Sequence, residues 1–141
     1  MIVLDTDHMV EFVKGTSPDA LRLQARLENC GEDFSTTIVT AEELTRGWLA
    51  EIRRVKDLRK QIPAYTRLGK TLATLGGWSV LPWNEPAVQQ LESLRGLKLQ
   101  IGTMDLKIAS IALAHSATLL TRNSVDFERV PGLQIEDWLS S

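Results

Sequence analysis

Cysteine is almost missing from this chain. Cys30 is the only one, which excludes an internal disulfide framework and any zinc site built from clustered thiolates. A reducing cytosol is therefore the expected setting. Histidine is nearly as scarce. His8 and His115 stand far apart, so a histidine-rich metal site is not expected and oxygen ligands would have to serve instead. Long apolar runs are absent too, none approaching the roughly 20 residues that cross a bilayer. The N-terminus carries no basic segment leading into an apolar one, so neither a membrane anchor nor a secretory signal is expected. Nor is there an excess of positive charge. The 16 Lys and Arg against 18 Asp and Glu leave a formal net charge of −2. Attraction of nucleic acid by bulk charge is thereby excluded, and such a partner would need a local basic surface or a metal.

What is present is globular. Hydrophobic residues make up 43% and charged residues 24% of 141 positions, which argues against disorder and for one domain spanning 1–141. "MIVL" is a short apolar run bounded by acids and suits a strand buried on both faces. Met9, Val10, Phe12 and Val13 fit a short helix ending near Gly15. Ser17-Pro18 is a cap followed by proline at the first helical position, with Leu21, Leu23, Ala25 and Leu27 as the expected apolar face and Asn29 and Gly31 as the stop. The β-branched "FSTTIV" is a second strand. Thr40 and Glu43 have the spacing of a capping box for the next helix, which runs past a bend at Gly47 and meets a kink or boundary at Pro63.

"WSVLPW" is expected as the third strand, and Asn84 with Pro86 opens another helix. After the polar loop "RGLKLQIG", Thr103 is the expected cap of a helix that buries Ile108, Ala112 and either Ile111 or His115. "ATLLT" is a fourth strand, "RNSVDFERVPG" a turn-rich loop and "LQIEDW" a short last strand. Strands alternating with helix pairs predict an α/β sandwich with a mostly parallel sheet. Ligands of such sheets sit beyond the carboxyl ends of the strands.

Acids gather at that edge. Asp5 follows strand one, Glu42 and Glu43 follow strand two, and Asn123 and Asp126 follow strand four. Asp105 opens the helix leading into strand four and joins them if that helix starts on the same edge. Three or four carboxylates in one place suit a divalent cation, since Mg²⁺ and Mn²⁺ prefer oxygen ligands. A metal so held binds a phosphodiester oxygen and acidifies an attacking water, which reconciles a slightly acidic protein with a nucleic-acid substrate. Each acid has a plain structural alternative, because Asp or Glu near a helix start is favoured by capping and by the helix dipole. Asp7 fits that role better than Asp5.

The stretches "IVLDTDHM", "TTIVTAEELTRGW" and "IGTMDLKIASIALAHSATLLTRNSVDFERVPGLQIEDW" together resemble the PIN-domain ribonucleases of the VapC type, the toxins of VapBC toxin–antitoxin pairs. Residues 50–95 add only helical character to the likeness. The resemblance implies a three-layer α/β/α sandwich and a Mg²⁺-dependent endoribonuclease, with Mn²⁺ able to substitute. It implies catalytic acids at Asp5, Asp105 and one glutamate, with Asp5 and Asp105 on the metal, and leaves a fourth catalytic position to Asp126 or Asn123. Thr40, Glu43, Leu44 and Gly47 match the family's Thr, Glu-Leu and Gly spacing, which selects Glu43 over Glu42. Where some relatives carry Asp directly after the Thr-Arg pair, this chain has Asn123, with Asp126 three positions on. That departure bears on a second metal. The resemblance further implies an RNA substrate, a cognate antitoxin and a homodimer.

Arg46 and the run Arg53 to Lys60 are candidates to line an RNA path, and Asn123 to touch substrate; the alternative is a solvated helix face of intrahelical pairs. Trp48, Trp78, Trp83 and Trp138 suit core or interface anchors, Trp48 being the one near enough to the acids to stack on a base. Two other functions compete. "LDTDHM" has the Asp-x-Asp of haloacid dehalogenase-like phosphatases, but Met9 stands where those have Thr or Val, and no clean acid pair follows. A non-catalytic module binding RNA or protein would need the same fold without a complete acid set.

Overall fold

The computed structural model describes residues 1–140. Its centre is a five-stranded, wholly parallel sheet of β1 (Ile2–Leu4), β2 (Phe34–Thr37), β3 (Val80–Leu81), β4 (Thr118–Leu120) and β5 (Gln134–Glu136), ordered β3-β2-β1-β4-β5. The helices are α1 (Thr6–Lys14), α2 (Pro18–Asn29), α3 (Ile38–Arg54), α4 (Ile62–Gly76), α5 (Glu85–Arg95), α6 (Thr103–Ala114) and the short α7 (Ser124–Phe127).

Alternation along the strands builds two cores. Val3 and Leu119 face one side and pack with Ala87, Leu94, Ile108 and Ile111 of α5 and α6. Ile2, Leu4 and Leu120 face the other and pack with Met9, Val13, Leu23 and Leu27 of α1 and α2. Helices on both faces of a parallel sheet are the expected three-layer sandwich. Helix α3 contributes to both cores, through Val39 on one side and Leu44 on the other.

Several element boundaries fall elsewhere than the sequence predicts. The second strand ends at Thr37, whose side chain accepts from Thr40 N–H at 3.0 Å and caps α3. Ile38 and Val39 are thus helical despite their β-branching, because tertiary packing and a cap outweigh a weak propensity. Thr40 is buried inside the helix, not at its cap. Gly47 lies within a continuous α3, which ends at Arg54 where Val55 turns extended (φ −98°, ψ 117°). Pro63 then sits in the first turn of α4, where a missing N–H costs nothing. Gly102, not Thr103, is the N-cap residue of α6, and no side chain bonds there. The loop after β4 contains α7, which returns the chain so that β5 also runs parallel.

Three side chains lie differently as well, Ala25 among them, which is exposed on α2. Leu21 is exposed on α2, where Ala20, Leu23 and Leu27 are the buried set. His115 is exposed beyond the end of α6, whose buried residues include Ile108, Ile111 and Ala112. Gly15 closes α1 in the left-handed region (φ 74°), a conformation that a side chain would strain. Among the described residues, no helix is long and apolar enough to cross a membrane.

Candidate active site

The strand order reverses beside β1, since β2 and β3 extend to one side and β4 and β5 to the other. A crevice opens at such a point, outside the carboxyl ends of the strands. Asp5 stands on its rim as the first residue after β1. Its N–H still bonds Leu120 O of β4 at 3.1 Å, so the backbone is fixed by the sheet. Its side chain caps α1, with Oδ1 accepting from His8 N–H at 3.0 Å. Asp5 is only 6% exposed, too buried for an idle carboxylate. Asp7, expected to serve the start of the helix, is exposed in its first turn and does not make the cap.

Glu43 arrives from α3. Because that helix starts at Ile38, Glu43 lies one turn further in than expected, on the side that faces α1. Thr6 Oγ1 donates to Glu43 Oε1 at 2.7 Å, which ties the residue after Asp5 to the carboxylate from the next strand's helix. Glu42 points elsewhere. It is exposed and pairs with Arg46 on the outer face of α3, beside Ile38, Leu49 and Arg53. Arg46 is therefore engaged away from the acids.

Asp105 sits half-buried in the first turn of α6, which begins on the same edge. Burial pushes its carboxyl up to about 6, and the surrounding charges of Glu43, Asp5, Asp126 and Asp7 push in the same direction. Every one of these neighbours is another carboxylate. Asp5, Glu43 and Asp126 thus lie near enough to Asp105 for their charges to act on it, on the edge where the strands end.

Asn123 and Asp126 form a unit. Asn123 caps α7 through Oδ1, which accepts from Asp126 N–H at 3.4 Å, and its Nδ2 donates to Asp126 Oδ2 at 2.9 Å. Arg129 lies 3.4 Å from the other carboxylate oxygen. Asn123 thus holds Asp126 in place through two contacts.

The donor set is all oxygen, and among the described residues Arg129, beside Asp126, is the one cation paired with it, which leaves the chemistry of a hard divalent cation. Among the described residues, no group of three or more His, Cys, Asp or Glu side chains is placed to hold a metal ion by itself. That combination fits an ion retaining several waters and touching one or two carboxylates, as Mg²⁺ does, and does not fit a dehydrated structural metal.

A groove of about 490 Å³ leads away from Glu43 between α3 and α4, lined by Thr6, Gly47, Trp48, Lys60 and Arg67 among others. Trp48 bridges its walls. The indole N–H donates to Thr71 Oγ1 at 3.1 Å, and the Arg67 guanidinium lies 5.5 Å from the ring centroid. Of the basic run Arg53 to Lys60, Lys60 lines this groove while Arg53 lies on the outer face of α3; Arg67 joins it from α4, a helix that carries no readable motif. Thr6 escaped notice for a similar reason, because a threonine inside "DTD" has no signature until α3 is packed against it.

Residues 2–133 match the sequence profile of the PIN domain family. Ribonuclease VapC1 of Rickettsia felis is 31% identical over 140 residues, which cover 95% of this chain and 93% of that protein. Ribonuclease VapC2 of the same organism is 52% identical over 40 residues, a local match that spans 28% of this chain and 30% of that protein. Among solved structures, VapBC2 from Rickettsia felis bound to a DNA fragment from its promoter superposes with a TM-score of 0.74 at 26% identity. That match covers 98% of this chain and 99% of the other.

Proposed function

The chain belongs to the PIN-domain family, and from that premise we propose that it is the toxin of a type II toxin–antitoxin pair, a divalent-metal-dependent endoribonuclease. One observation carries the reading: Asp105 lies half-buried against the carboxylates of Asp5, Glu43 and Asp126 with its carboxyl raised to about 6. A fold that only had to be stable has no reason to assemble that repulsion, whereas a cation relieves it. The VapC relatives and the likeness to a VapBC complex support the same conclusion. They favour it over the phosphatase and the non-catalytic alternatives.

Asp5 and Asp105 would hold the ion, Mg²⁺ with Mn²⁺ as a substitute. When bound, the ion neutralises the acids, draws in a phosphodiester oxygen and acidifies a water. The remaining work belongs to the chain. Glu43, fixed by Thr6 Oγ1, accepts a proton from the attacking water, and Asp126, fixed by Asn123, orients that water. The water oxygen bonds to phosphorus as the bond to the 3′ oxygen breaks, and that oxygen takes a proton from solvent, leaving a 5′-phosphate and a 3′-hydroxyl. The groove past Trp48 and Arg67 offers stacking and phosphate contacts for RNA. We further propose that a cognate antitoxin blocks this groove, and that the exposed apolar stripe Ile38 and Leu49 on α3 joins two copies as a homodimer.

The test is cleavage of a pool of structured RNAs with Mg²⁺ or Mn²⁺, comparing the wild type with Asp5→Asn and Asp105→Asn and mapping product ends. Asn caps a helix as well as Asp does, so Asp5→Asn should keep its fold while losing cleavage. Metal-independent cleavage, or cleavage that survives both substitutions, would overturn the reading.

A further inference from the structure

Asp5 is held by a residue that the proposed reaction leaves unused. We propose that His8 is a positioning residue for Asp5, its imidazole aimed by the backbone of the C-terminal segment; the proposal rests on reading Asp5 as a metal ligand. His8 is completely buried, at 0% exposure. Its Nε2 lies 3.2 Å from the backbone nitrogen of Trp138. That N–H has nothing to do but donate, so Nε2 accepts and the proton of the neutral ring sits on Nδ1. Nδ1 lies 3.2 Å from Asp5 Oδ1 and therefore donates to it.

The alternative arrangements fail on geometry. A proton on Nε2 would face the Trp138 N–H, donor against donor. Asp137 Oδ1 stands 3.8 Å from Nε2, beyond hydrogen-bond reach, and already accepts from the N–H groups of Leu139 and Ser140 at 2.9 and 3.1 Å.

The segment that orients the ring is itself well anchored. Trp138 and Leu139 are buried in the core shared by α1 and α2. The Arg26 guanidinium lies 4.2 Å from the Trp138 ring centroid, and the indole N–H reaches Glu136 Oε1 at 3.4 Å. The backbone at Trp138 thus reaches back to the first helix to set one hydrogen on one nitrogen. Oδ1 of Asp5 receives both the His8 N–H and the Nδ1–H, and Oδ2 takes neither. The carboxylate is pinned by one oxygen and offers the other. Outer partners of this kind orient metal ligands, and their removal costs about 10- to 100-fold in metal affinity.

Two conservative substitutions separate positioning from packing. His8→Asn presents an amide N–H where Nδ1 stands and keeps the bond to Asp5. His8→Gln presents its amide where Nε2 stands, keeping the bond to Trp138 and losing the one to Asp5. Mn²⁺ affinity by calorimetry should stay within about threefold of wild type for His8→Asn and fall about 10- to 100-fold for His8→Gln, with thermal stability recorded for each. In metal-free wild type, long-range ¹H–¹⁵N spectra should show Nδ1 protonated and Nε2 bare for His8, with exposed His115 as the contrast.

A bare Nδ1, or equal Mn²⁺ affinity in the two variants, overturns the positioning role; the spectrum decides alone should either variant fail to fold. Wild type that binds no Mn²⁺ overturns the metal site itself and this proposal with it. Mn²⁺ binding that is lost in Asp5→Asn but unchanged in His8→Gln overturns the positioning role only.

Discussion

Replacing Asp105 by Asn should make the metal-free protein more stable and the metal-loaded protein less so. The carboxyl of Asp105 is raised from 3.8 to about 6 by burial first, and then by Glu43, Asp5, Asp126 and Asp7. A carboxyl whose pKa rises on folding holds its proton more tightly in the folded state. Its contribution to stability is fully present below 3.8 and is lost as pH climbs through about 6. At about 1.4 kcal/mol per tenfold change in proton affinity, the ceiling is about 3 kcal/mol; Asp105 is half-buried, and solvent screening brings it to about 1–2 kcal/mol. Asn resembles the neutral acid and escapes the penalty. In a metal chelator at pH 7.5, Asp105→Asn should therefore melt about 3–8 °C above wild type, and the two should converge as pH falls to about 4. Saturating Mn²⁺ reverses the order, since 100 times its Kd adds about 2.7 kcal/mol to a protein that binds it and less to one missing a ligand. Thermal unfolding across pH 4–8, with and without Mn²⁺, measures all of this. A variant no more stable than wild type at pH 7.5, or a gap independent of pH, refutes the idea that Asp105 is strained by its neighbours.

Three further outcomes follow from single contacts. Thr6→Val removes the 2.7 Å bond to Glu43, and should cost about 0.5–1.5 kcal/mol in urea unfolding while lowering kcat several-fold with KM unchanged. Thr37→Ala removes the cap of α3 and should cost about 1 kcal/mol, yet leave activity per folded molecule intact in active-site titration. Arg67→Ala, in the groove beside Trp48, should weaken RNA binding and reduce the salt slope of log K by about 1, an effect that Arg46→Ala, outside the groove, should not reproduce.

The elements were legible wherever a local rule operated without competition. Ser17 with Pro18 and Asn84 with Pro86 cap helices as the sequence predicts, because each bond is made within three residues. "MIVL" and "ATLLT" are central strands, because both faces of the sheet are covered and continuous apolar runs suit them. Local rules misplaced boundaries where two of them claimed the same residues. Thr37 and Thr40 both have the chemistry of a cap, and packing of Val39 and Leu44 against the two cores chose the first. The helical α7 was hidden because Asn123, Ser124 and Asp126 are turn residues by composition, and four residues are too few to show a helical period.

The acids were legible for a different reason. Their nearness follows from topology: in a wholly parallel sheet every strand's end and every following helix's start lie on one edge, so Asp5, Glu43 and Asp126 meet whatever the loops do. Asp105 joins because α6 must begin where β4 will end. The partners that hold these acids carry no such guarantee. Thr6, His8 and Asn123 are chosen by contacts whose residues stand 37, 3 and 3 positions away, and the backbone N–H that aims His8 comes from 130 positions away. Topology can therefore gather charge, but it cannot say which carboxylate oxygen is pinned and which is free. Local consistency explains most of this fold, and the place where it breaks, four carboxylates crowding a half-buried fifth at Asp105, is where a requirement other than stability has to be at work.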